Sequence, residues 1–401
     1  MKYTLIVLLL FFACPCLRAG ITAPDNPPVV FTLNGDLLQK NRARVMAKDP
    51  ALLPAYQKLL RDADKALKEG PFTVMSKKQA PPSGDKHDFM SLAPYFWPDP
   101  SKPGGLPYMR KDGQTNPEVT DYTDKEYLPK LIKLVTSLSE AYYFSGDPKY
   151  AQHAANLLRV WFLNPDTKMN PNMNFAQAIK GQNTGRGAGL IDARHFIRLI
   201  DEIGMLRSAK AWTEADQMGM QQWFAAFVHW MQTSENGLDE MDAPNNHGTW
   251  YDVLRLSASL FTDSMAAAKK IVENVKARLD KQMDAAGSFP KEMERTIALH
   301  YSLFDLEAFF LAATMAEKLN VDLWHYTSPS GASLKKGFDF LKPYITKEKE
   351  WRGQQIKPFP VEEGYPVLLM ASSKYDCAGC RDTVKKLAGE EGEKMEVWLL
   401  Y

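Results

Sequence analysis

The stretch Asp124-Lys-Glu-Tyr-Leu128-Pro-Lys-Leu131-Ile132-Lys-Leu134-Val135-Thr-Ser-Leu138-Ser-Glu-Ala141-Tyr142-Tyr-Phe144 decides the fold class. Its apolar residues recur every three to four positions, the period that puts them on one wide helical face. Ser145-Gly146-Asp147-Pro148 then closes the segment with a helix stop and a new start. The same period runs outward in both directions. It predicts helices over 49–70 (ending in Lys68-Glu69-Gly70, with Gly70 as the C-cap), 149–162, 187–208, 213–233, 250–261, 265–285 and 293–319. Connectors are short and marked by Gly, Pro, Asn and Asp, and period-two strands are scarce.

Helix pairs in series without a fixed-length sequence repeat predict an all-α chain. The expected architecture is an incomplete (α/α) toroid or barrel of antiparallel helix hairpins with long rim loops. The chain has 401 residues, 45% of them hydrophobic, enough to bury a large core. A single toroid domain is expected over 20–401.

Two long segments interrupt the helices. Residues 77–123 are rich in Pro, Gly and aromatics and are expected to form a lid-like loop region. Residues 164–186 are dense in carboxamides, which suit hydroxyl-rich ligands.

Residues 1–19 read as a secretory signal: Lys2, an apolar run from Leu5 to Ala13, and Leu17-Arg18-Ala19 before Gly20. That run is too short for a membrane span, and no later one is long enough. The expectation is an exported chain, periplasmic or secreted. Lipid anchoring at Cys14 is the less favoured alternative, because Phe11-Phe12-Ala13 lacks the small residues that usually precede such a cysteine. Losing Lys2 and Arg18 and no acid moves the formal charge of +1 by two units to −1. Global charge therefore attracts no anion, and local charge must do so. With Lys+Arg 49 against Asp+Glu 48, a nucleic-acid partner is not expected. Beyond the signal only Cys377 and Cys380 remain, read as a local disulfide in an oxidising compartment. The histidines lack metal-ligand spacing, so no metal and no cofactor is assigned.

Two segments carry the chemistry. Asn245-Asn246-His247-Gly-Thr-Trp250-Tyr251 is followed by Arg295-Thr-Ile-Ala-Leu-His300-Tyr301. Together they offer an amide, imidazoles, a guanidinium and a phenol. That set can neutralise a carboxylate and move a proton beside it. Each residue also has a plainer reading: Asn246 as a helix N-cap, His247 and His300 as satisfied structural histidines, Tyr301 as core. Six residues along one helix would set Arg295 and Tyr301 about 120° apart. Arg295 is therefore expected in a first turn or the preceding loop, folded back over Tyr301, where a cation would lower the phenol's pKa. Tyr95, Trp97, Tyr108 and Trp250 suit either stacking on sugar rings or a satellite core. Arg110, Lys111 and Arg186 suit uronate carboxylates or plain solvation, and Asn174 and Gln177 suit hydroxyls.

At these residues the chain resembles the alginate lyase superfamily. The resemblance covers roughly residues 60–370. It rests on Ser91-Leu-Ala-Pro-Tyr95-Phe-Trp97-Pro-Asp-Pro, Met169-Asn-Pro-Asn-Met-Asn174-Phe-Ala-Gln177-Ala, Asn245-Asn246-His247-Gly-Thr-Trp250-Tyr and Glu294-Arg295-Thr-Ile-Ala-Leu-His300-Tyr301. It implies an all-helical toroid with a mobile lid. It also implies β-elimination of an anionic polysaccharide, with Asn246, His247 and Arg295 neutralising and assisting and Tyr301 as acid/base. Alginate is the first expected substrate and β-1,4-glucuronan the second. A toroid glycoside hydrolase using Glu240, Asp242, Glu292 or Glu294 and a non-catalytic glycan-binding protein are the remaining alternatives.

Overall fold

The computed structural model describes residues 26–377 and 379–401, so the expected signal and Cys14 lie outside the described residues. Fifteen helices follow in chain order among these residues: α1 (Gly35–Met46), α2 (Leu53–Ala66), α3 (Thr123–Ser145), α4 (Pro148–Leu158), α5 (His195–Leu206), α6 (Glu214–Thr233), α7 (Glu235–Met241), α8 (Asn246–Phe261), α9 (Met265–Gln282), α10 (Pro290–Met293), α11 (Ala298–Glu317), α12 (Leu334–Ile345), α13 (Tyr365–Lys374), α14 (Cys380–Ala388) and α15 (Val397–Leu400).

Helices α3, α5, α8, α11 and α13 touch in series and form an inner arc. Helix α4 packs outside α3, α6 and α9 outside α8, and α12 outside α11. This double layer is the incomplete (α/α) toroid that the periodicity predicts. Burial follows position in it. Most residues of α8 and α11 are buried, whereas α2 keeps one apolar stripe. The Ser145-Gly146-Asp147-Pro148 signal acts as expected: Gly146 takes φ 74° after α3, and Asp147 accepts from Lys149 N at the start of α4. A capping box of Thr213 and Asp216 starts α6.

Several boundaries differ from the periodicity. Helix α2 ends at Ala66, so Gly70, at φ 78°, lies beyond its cap. The 187–208 segment begins as a 3₁₀ turn (Gly187–Arg194) before α5, and α4 runs into a π-helical turn (Arg159–Leu163). Helix α8 begins four residues earlier than expected, at Asn246. The 293–319 segment becomes helical only from Ala298: Met293 ends α10, and the break at 294–297 carries Arg295. Cys377 and Cys380 form the expected disulfide, between α13 and α14.

The two long loop segments are tied together. Strand β1 (Met90–Leu92) pairs in parallel with β4 (Phe175–Ala178), with an irregular register, while β2 (Phe96–Trp97) and β3 (Met109–Arg110) form an antiparallel ribbon. Gln177, at φ 51°, sits in the irregularity, a conformation that costs a non-glycine residue energy and re-aims its side chain. No described helix is long and apolar enough to cross a membrane.

Candidate active site

A cavity of about 450 Å³ opens where the start of α8, the α10–α11 break, the 3₁₀ turn before α5 and the 77–123 segment converge. Asn246, His247, Arg295 and Tyr301 all line it. Tyr95, Arg110, Gln177, Arg186 and His300 line it as well.

Asn245, not Asn246, occupies the N-cap position of α8, and it makes no side-chain capping bond. Asn246 is instead committed to Glu292. Its backbone N and its Nδ2 each donate to Glu292 Oε1 at 2.8 Å, inside the protein. Burial raises the Glu292 carboxyl above its usual value, although the Asn246 hydrogen bonds oppose this. His247 Nδ1 faces Glu240 Oε1 at 2.7 Å. Glu240 is 2% exposed. A carboxylate there keeps the proton on Nδ1 and leaves Nε2 with a free lone pair.

The helix break lets Arg295 fold back as expected, with Cζ 3.5 Å from the centroid of the Tyr301 ring. Asp112 holds the guanidinium from the other side. It accepts from Arg295 Nη2 at 2.8 Å and Nε at 3.1 Å, from Thr296 N and Oγ1, and from Arg110 Nη2. Burial would raise the Asp112 carboxyl, but these donors outweigh it and hold it well below its usual range. The Tyr301 hydroxyl donates to Tyr95 Oη at 2.8 Å. The phenol departs from the expectation of a lowered pKa. Burial pushes it far above its ordinary value, and Arg295 counteracts only part of that. Tyr301 therefore stays protonated at neutral pH.

Arg186 donates from Nη2 to Gln177 Oε1 at 2.8 Å and lies 5.2 Å over the Phe96 ring. Gln177 Nε2 in turn donates to Asp192 Oδ1, which also receives Lys125 Nζ. Lys125, Asp192 and Arg194 belong to the site but were not anticipated from the sequence. The signal for the last two was present: charges inside an apolar segment bound for burial are costly without a purpose. The cavity thus gathers Arg110, Lys125, Arg186, Arg194 and Arg295 against one lining carboxylate, Asp192.

Four expected contacts lie elsewhere. Tyr108 is 9% exposed, packs with Ala93 and Ile179 in a small separate core, and donates to Glu118. Trp250 is mostly buried against Phe304, at 4.7 Å between ring centroids, and lines not this cavity but an adjoining one. Trp97 does not line the cavity. Its Nε1 donates to Gln114 O, and Lys111 covers its ring. Asn174 is exposed, and its Oδ1 accepts from Trp230 Nε1. In each case the polar group that suggested ligand binding is used within the protein, or the ring fills a core. The carboxylates of the hydrolase alternative fare no better. Glu240 and Glu292 are spent on His247 and Asn246, Asp242 and Glu294 are exposed, and none lines the cavity. Among the described residues no cluster of three or more His, Cys, Asp or Glu could hold a metal ion.

The alginate lyase family model matches residues 73–351. An alginate lyase from Bacteroides ovatus is 42% identical in a match covering 93% of this chain and 99% of that one, with a TM-score of 0.88. Alginate lyase A1-III from Sphingomonas species A1 matches at 16% identity over 78% of this chain and 77% of its own, TM-score 0.51. A variant of alginate lyase A1-III complexed with tetrasaccharide matches at 15% identity over 90% and 91%, TM-score 0.55. At these identities the last two speak for the fold alone. No curated protein sequence matches significantly.

Proposed function

The chain belongs to the alginate lyase family and is a polysaccharide lyase, and from that premise we propose that it cleaves a 4-linked uronate polysaccharide, alginate first, by β-elimination. The observation that carries this reading is the meeting of Asn246, His247, Arg295 and Tyr301 around one cavity rich in cations.

In the proposed reaction the uronate carboxylate lies against the Asn246 amide, His247 and the Arg295 guanidinium. They stabilise the enolate-like dianion that forms when C5 loses its proton. His247 Nε2 takes that proton, and Glu240 balances the imidazolium. The C5 electron pair forms the C4=C5 double bond as the C4–O4 bond breaks. The Tyr301 hydroxyl, kept protonated by burial, gives its proton to the departing O4. Where the C5 proton and O4 share one face of the ring, Tyr301 serves both steps. Arg295, held by Asp112, supports the phenolate with its charge against the ring. The 77–123 segment supplies Pro94, Tyr95, Phe96 and Arg110 to the lining, which supports its reading as a lid. We also propose that residues 1–19 direct export and that 20–401 form one lyase domain.

The test is incubation with alginate, glucuronan and neutral glucans. The expected result is an ultraviolet-absorbing unsaturated uronate from alginate. Reducing ends without that chromophore would show a hydrolase, and retardation of the glycan without cleavage would show a binding protein. Either outcome would overturn the proposal.

A further inference from the structure

Among the described residues Arg194 is the one cavity guanidinium that no side-chain hydrogen bond holds: Arg110 and Arg295 bond Asp112, and Arg186 bonds Gln177. A second cavity of about 450 Å³ adjoins the first, and Arg194, His300 and Phe304 line both. Around the second cavity Arg198 is ion-paired with Glu140 and Glu202, and His300 Nδ1 faces Glu363 Oε2 at 2.6 Å. Arg194 has no such partner. Among the described residues it makes one long hydrogen bond, from Nη1 to Ile191 O at 3.2 Å, and lies 5.6 Å over the Phe304 ring. Burial pulls the guanidinium below its ordinary value, and Asp192 and Glu307 offset this only from a distance. A guanidinium carries five N–H donors in a planar fork that fits a carboxylate. The Arg194 side chain is half-buried, and its unused donors face the two cavities, where a carboxylate can complete them.

We propose that Arg194 binds the carboxylate of a second uronate, the sugar next to the one that loses its C5 proton, and that the second cavity is the subsite for that sugar. Phe304, stacked at 8° on His300, gives the subsite a flat apolar wall where the two cavities meet. Glu307 lines the subsite as well. Burial pushes its carboxyl up to about 7, so below neutral pH it is an O–H donor suited to a sugar hydroxyl. The enzyme then reads two successive uronates. This inference rests on the proposed lyase reading.

The experiment compares wild type, Arg194→Gln and Arg194→Lys on three uronate trisaccharides. One is fully charged, and each of the others has one carboxylate, on either neighbour of the reacting sugar, reduced to a primary alcohol. For wild type, one of the two reductions should lower kcat/KM by about 10- to 100-fold, the range expected for a lost charged hydrogen-bonded pair. Arg194→Gln should lose a similar factor on the charged trisaccharide, mostly in KM, and should no longer distinguish it from that reduced analogue. Arg194→Lys keeps the charge without the fork and should fall between. If Arg194→Gln does not fold, the narrowed discrimination of Arg194→Lys decides. Unchanged kinetics in the variants, or equal losses on charged and reduced substrates, would overturn the role of Arg194. A wild type that yields no unsaturated product from any uronate would instead overturn the lyase reading.

Discussion

Glu240→Gln tests the proposed base most directly. Glu240 is almost fully buried, and its Oε1 lies 2.7 Å from His247 Nδ1. Glutamine preserves the shape but removes the charge. That charge is proposed to hold the Nδ1–H tautomer and to stabilise the imidazolium formed as the C5 proton arrives. Removing it forfeits a charge-assisted hydrogen bond of about 1.5–3 kcal/mol, equivalent to a fall in kcat of about 10- to 150-fold. The assay is the initial rate of ultraviolet absorbance on a polyuronate over a range of concentrations, with Tm recorded in parallel. KM should stay within about twofold, because Glu240 acts through His247 and not on the sugar. Adding Glu240→Gln to Tyr301→Phe should cost much less than it does in wild type, because the two groups act in one proton-transfer sequence. A folded Glu240→Gln enzyme with kcat within about twofold of wild type would refute the assignment of His247 as an oriented base.

Further outcomes are expected. Tyr301→Phe should lower kcat by about 10²- to 10⁴-fold while leaving oligosaccharide affinity, measured by calorimetry, near wild type. Asp112→Asn should lower kcat by about tenfold, read in the same absorbance assay, because Arg295 loses the anchor that keeps it on the phenol ring. Its stability effect has a definite sign. The depressed Asp112 carboxyl contributes stability above about pH 3.8 that wild type loses as the pH falls, so thermal melts of wild type and variant should converge in acid. Glu307 has the opposite sign. Its carboxyl rises from 4.5 to about 7, so wild type loses stability as the pH rises through that window, and Glu307→Gln should show a flatter Tm profile there.

The helices and the motif residues could be read in the sequence because both are local. The period in 124–144 predicts α3 to within a residue at each end, and Asn246-His247 and Arg295 to Tyr301 are short constellations. Even the folding back of Arg295 followed from counting helical turns. What escaped depends on how the layers meet. Trp250 reads as a sugar platform beside His247, but the helical turn points it at Phe304 and into the adjoining cavity. Tyr108 sits in a Pro/Gly-rich segment whose small core exists only once Ile179 arrives from another loop. Lys125 and Asp192 are 67 residues apart and become a pair only when α3 and the turn before α5 close on each other. Glu240 reads in the sequence as a candidate hydrolytic acid, because nothing in its neighbourhood reveals that it faces His247. Residues 334–400 hold four helices that the periodicity reading did not include.

Two of the contacts that arm the chemistry come from the same strip of chain. Tyr95 takes the Tyr301 hydroxyl bond, and Asp112 fastens Arg295 onto the Tyr301 ring. If that strip swung outward, the phenol would lose its hydrogen-bond partner and the guanidinium its tether in one movement. The open form would then be chemically idle, and wrapping the glycan chain and switching on the reaction would become a single event.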